Sequence, residues 1–61
     1  MNFSNYELIQ IENAFEDVMD FVKEQDMTLE DAVIEASFIH DLSLDQITAL
    51  HKCIIILSRR K

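Results

Sequence analysis

The chain has 61 residues, a formal net charge of −7, one cysteine, and neither glycine nor proline. That length allows a single domain with a thin core, burying only about 60% of the surface its unfolded form exposes, and one cysteine excludes an internal disulfide. The longest apolar run, Cys53–Leu57, is far short of the roughly 20 residues needed to span a bilayer, and Met1–Gln10 carries no basic region, so the expectation is a cytoplasmic protein with no membrane segment and a reduced thiol.

The helix starts are legible from a repeated pattern. Ser4 with Glu7 three positions on, flanked by Phe3 and Leu8, reads as a capping box with a hydrophobic staple. It predicts a first helix over about 5–25. The apolar positions Leu8, Ile11, Phe15, Val18 and Val22 alternate steps of three and four, and Ala14, Met19 and Phe21 widen that stripe. Thr28 with Asp31 is a weaker box, because aspartate is a shorter partner than glutamate. It opens a second helix over about 29–40, expected to bury Leu29, Ala32, Val33, Ala36 and Ile39, with Ile34 and Phe38 on its flanks. Ser43 with Gln46, flanked by Leu42 and Ile47, repeats the first pattern and opens a third helix over about 44–58. Its stripe is Ile47, Leu50, Ile54 and Leu57.

The joints are short, at Asp26-Met27 and Asp41-Leu42, which makes successive helices spatial neighbours. The expected architecture is one all-α, three-helix domain over residues 1–61 with a short basic C-terminal tail. Such a layout overlaps with helix-turn-helix arrangements. The third helix is anomalous. At 100° per residue, Cys53, Ile54, Ile55, Ile56 and Leu57 go right round it, and two small helices cannot cover every side of a third. A chain this small also needs support beyond its own core. Self-association, most simply as a dimer, is therefore expected at Cys53, Ile55, Ile56 and Leu57.

Charge is segregated along the chain. All twelve carboxylates lie between Glu7 and Asp45, and four of the five basic residues, Lys52, Arg59, Arg60 and Lys61, lie in the last ten positions. Glu12, Glu16, Asp20 and Glu24 follow one another at i, i+4 on the first helix, with Asp17 beside them. Like charges at this spacing cost a few tenths of a kcal/mol per pair. Either the row is a solvated face that keeps the chain soluble, or it is a docking stripe for a basic surface. Its repeat of about 6 Å is close to the spacing of phosphates along a nucleic-acid strand, which such a helix can imitate. Asp31 and Glu35 on the second helix are secondary contact candidates.

Nothing in the sequence points to catalysis. A carboxylate pair doing acid–base work needs a water-excluding cleft, which a core this thin can hardly build. His40 and His51 have no second ligand at i+3 or i+4, so no metal or cofactor is expected. Cys53 sits in the apolar run and reads as a buried, inert thiol. Direct nucleic-acid binding is disfavoured as well. The start of the third helix carries Ser43, Leu44, Asp45 and Gln46, where a recognition helix would face phosphates.

Met27-Thr28-Leu29-Glu30-Asp31-Ala32, followed by Leu42 and then Gln46-Ile47, resembles the small late-transcription coactivators of large tailed phages. The resemblance spans Met27–Leu50. It implies a helical core that binds the host RNA polymerase at the flap of its β subunit. Members of that family reach the phage sliding clamp through an acidic, hydrophobic C-terminal end. Here the corresponding end is Ser58-Arg59-Arg60-Lys61, so no clamp contact is implied. Together these readings lead to an expected function: a small acidic, non-enzymatic adaptor or inhibitor docking on a basic surface of a larger protein, RNA polymerase among the candidates. A self-associating structural module is the alternative.

Overall fold

The computed structural model describes residues 3–59. It has three helices, α1 (Asn5–Glu24), α2 (Leu29–Ile39) and α3 (Leu44–Arg59), which agree with the sequence reading to within a residue at each end. Arg60 and Lys61, the end of the basic tail, lie outside the described residues.

The helix starts form for the local reasons the sequence suggests. At α1, the Glu7 amide donates to Ser4 Oγ at 3.2 Å and the Ser4 amide donates to Glu7 Oε1 at 2.8 Å. The same reciprocal pair joins Ser43 and Gln46 at α3, at 3.2 and 2.9 Å. At α2 only half the box forms: the Asp31 amide donates to Thr28 Oγ1 at 3.2 Å, while the shorter Asp31 side chain makes no return bond.

The helix stops use aspartate where glycine is usual. Asp26 and Asp41 take φ of 53° and 51°, the left-handed region that aspartate tolerates better than most residues. After α2 the Asp41 amide donates to the Phe38 carbonyl at 3.3 Å and the Leu42 amide to the Ser37 carbonyl at 3.0 Å. This is a Schellman arrangement built without glycine, and it turns the chain directly into the next N-cap.

The core is small and central. Ile11, Ala14 and Val18 of α1, Ala32, Val33 and Ala36 of α2, and Leu50 and Ile54 of α3 are buried. Three of these eight are alanines, which let α1 and α2 approach closely, and that pair makes the most extensive contact in the molecule. The backbone spans 31 × 26 × 15 Å. With Cα atoms about 2.3 Å from a helix axis and packed axes about 8–10 Å apart, the short dimension is that of two helix layers, too thin to enclose any helix. Each helix therefore keeps an uncovered side.

That thinness corrects several expectations. Leu29 and Ile39 were placed in the core but sit at the two ends of α2 and are exposed. Ser37 is buried in their place, its hydroxyl donating to the Val33 carbonyl at 2.7 Å. Leu8 and Leu57, read as stripe residues, are each 50% exposed, because they line an open groove between α1 and α3. Ala14, read as a flank, is fully buried at the centre.

Candidate interaction surfaces

Gln46 shows how α3 is set against the rest. It is 3% exposed. Its Oε1 accepts the Ser43 amide, while its Nε2 donates to the Glu7 carbonyl at 3.1 Å and to Gln10 Oε1 at 2.9 Å. Gln10 Nε2 in turn donates to the His40 carbonyl at 3.2 Å. One chain of amides thus ties the start of α3 to the first turns of α1 and to the end of α2. A buried network of this kind selects one arrangement only when every member is satisfied, and no buried side-chain polar atom among the described residues lacks a partner. It also turns Gln46 inward, away from anything a recognition helix would read.

A second polar tie crosses from α1 to α2. His40 Nε2 lies 2.6 Å from Asp17 Oδ2. His40 is the C-cap of α2, and its amide donates to the Ala36 carbonyl. The imidazole therefore sits at the negative end of the α2 dipole and beside a carboxylate. Asp17 is engaged within the chain, unlike the acidic residues around it.

Those residues form the first surface. Glu12, Glu16, Asp20 and Glu24 are exposed along α1, and by helical phase they lie opposite the Ile11, Ala14 and Val18 face. Among the described residues no lysine or arginine lies within ion-pair distance of a carboxylate, so none there neutralises the row. Lys23, in the last turn of the same helix, leaves it open. Asp31 and Glu35 are exposed one turn apart on α2, on a different helix from the row.

The second surface is an apolar groove of about 460 Å³ between α1 and α3. Leu8, Ile11 and Phe15 form one wall, and Cys53, Ile56 and Leu57 the other. Of the self-association candidates, the structure brings Cys53, Ile56 and Leu57 together here and leaves Ile55 exposed outside the groove lining. Only Ile54 of the all-apolar run is buried; Cys53, expected to be buried, is exposed on the groove wall. Glu12 sits on the groove margin, so the acidic row begins where the groove ends.

A third feature was not expected. Ile34 and Phe38 of α2 line a shallower hollow of about 360 Å³ with Leu42, Ile47 and His51. Phe38 and Leu44 are each 83% exposed, the most uncovered large apolar side chains described. Their signal was present in the sequence, since both fall off the predicted stripes.

No three His, Cys, Asp or Glu side chains among the described residues are placed to hold a metal ion. No helix among them is long and apolar enough to cross a membrane. No protein-family model matches the chain, and neither a curated protein nor a solved structure matches it. The fold and its surfaces define a small all-α domain with one acidic face and two uncovered apolar ones.

Proposed function

We propose that this protein is a non-enzymatic adaptor or inhibitor that docks through the outer face of α1 on a basic surface of a larger protein. One observation carries the reading. Glu12, Glu16, Asp20 and Glu24 present one exposed carboxylate per turn, opposite the core, with no described cation paired to any of them. A face that only kept the chain soluble would normally mix signs. Here the row pays repulsion at every turn, and a basic surface would remove that cost on binding. Such a surface is also what enzymes acting on nucleic acid present to phosphates. The resemblance of Met27–Leu50 to phage late-transcription coactivators makes RNA polymerase the leading partner, with Asp31 and Glu35 of α2 as secondary contacts.

The test uses the parent chain and a Glu16→Lys/Asp20→Lys variant as paired baits in bacterial lysate, with captured proteins identified by mass spectrometry. The parent is expected to retain RNA polymerase subunits or another nucleic-acid enzyme, less strongly as salt rises. The variant is expected to lose them while keeping its helical circular dichroism. The same captured proteins on both baits at physiological salt would overturn the reading.

A further inference from the structure

The groove between α1 and α3 and the charged end of α3 belong to one continuous surface. Both groove walls are apolar, and Leu8, Ile56 and Leu57 on them are half-exposed. Next to the groove, Ile55 carries the apolar surface onto the open side of α3. One turn beyond, α3 ends on exposed Arg59, followed in sequence by Arg60 and Lys61. On the opposite margin stands Glu12, the first carboxylate of the acidic row. Arg59 and Glu12 form no ion pair within the chain.

We propose that a second copy of this chain occupies the groove. The two copies pack their α3 runs across a two-fold axis, each setting its basic end against Glu12 of the other. The apolar walls alone would accept any apolar helix. Charge is what selects this occupant: the acidic margin calls for a helix that is apolar and then basic, and α3 of this chain is that helix. A two-fold contact also requires one patch to supply both the inserted residues and the site they enter. The α3 run meets that condition, since Cys53, Ile56 and Leu57 form a wall while Ile55 and Arg59 project beside it. The thin slab needs such a contact, because neither α1 nor α2 covers this side of α3. The dimer shares Glu12 with the docking row proposed above and leaves Glu16, Asp20 and Glu24 open.

The experiment is sedimentation equilibrium on three chains: the parent, Glu12→Lys and Arg59→Glu. The parent is expected to dimerise at sub-millimolar concentration. Each variant alone places like charges across the interface and should self-associate about tenfold more weakly or worse. A mixture of the two places opposite charges at both positions and should recover the parent's affinity. A contact within one chain cannot be repaired by mixing, so this arm isolates the partner copy. Both substituted residues are exposed, so folding is expected to survive and circular dichroism checks it. A parent that stays monomeric leaves the groove to a foreign helix and overturns the proposal. Variants that dimerise as tightly as the parent, or a mixture that recovers nothing, overturn it too.

Discussion

Replacing Gln46 by Glu separates two accounts of the same residue. As the third residue of a capping box at a helix N-terminus, glutamate is as good as glutamine or better, since it completes the box and favours the dipole. On local grounds the substitution is neutral or stabilising. The tertiary structure reverses the sign. Gln46 Nε2 donates to the Glu7 carbonyl and to Gln10 Oε1, and a carboxylate offers neither bond. Two lost bonds cost about 1 kcal/mol each, and two acceptors are left facing a negative charge. That charge is introduced at a site only 3% exposed, which adds a desolvation cost and brings the total to roughly 3–4 kcal/mol. A domain of 61 residues has a stability of about 3–9 kcal/mol, so the variant should lose about a third of it or more. The expected fall in melting temperature is about 15–25 °C, followed by far-ultraviolet circular dichroism at pH 7. Gln46→Met loses the same donors and the Ser43 amide bond but buries no charge, and should cost about 1–2 kcal/mol. If Gln46→Glu melts at or above the parent temperature, the amide network does not hold α3 and the reasoning fails.

The other predictions test the joints, the core and the α1–α2 tie. Asp41→Gly should stabilise by about 0.5–1 kcal/mol, because the position holds φ of 51° and glycine adopts it without a Cβ penalty; a lower urea midpoint would contradict this. Ala14→Leu should cost about 1–3 kcal/mol, since Ala14 is fully buried and extra volume there must force α1 and α2 apart; an unchanged midpoint would show slack at that contact. Asp17→Asn should cost only about 0.2–1 kcal/mol, because the His40–Asp17 hydrogen bond is partly open to solvent; a loss above about 2 kcal/mol in urea unfolding would contradict this.

The most local features were the most legible. The caps at Ser4, Thr28 and Ser43 were readable because the bonding partners lie three residues apart, and the weakness of the Thr28–Asp31 box was readable from side-chain length alone. The joints at Asp26 and Asp41 were placed correctly although glycine is absent, since the caps that follow leave no other room. The core was half legible. Periodicity picked out Ile11, Val18, Ala32, Val33, Ala36, Leu50 and Ile54, but it assigns a face to a helix and not a depth along it. Leu29 and Ile39 lie on the predicted face but at the two ends of α2, and Leu8 and Leu57 lie on theirs but line an open groove.

The amino-acid sequence by itself determined three helices, where each begins, and the separation of acidic from basic charge along the chain. These follow from spacings of three and four residues and from composition, which no packing alters. Tertiary structure decided which carboxylates stand open and which is held: Asp17 meets His40 from 23 positions away, while Glu12, Glu16, Asp20 and Glu24 meet no described cation. It likewise decided that Gln46 joins Glu7 and Gln10 from 39 and 36 positions away, and that the apolar run of α3 divides into buried Ile54, a groove wall of Cys53, Ile56 and Leu57, and exposed Ile55. Contacts across such separations depend on how the helices cross, and a slab only two helix layers thick leaves an uncovered face on each helix.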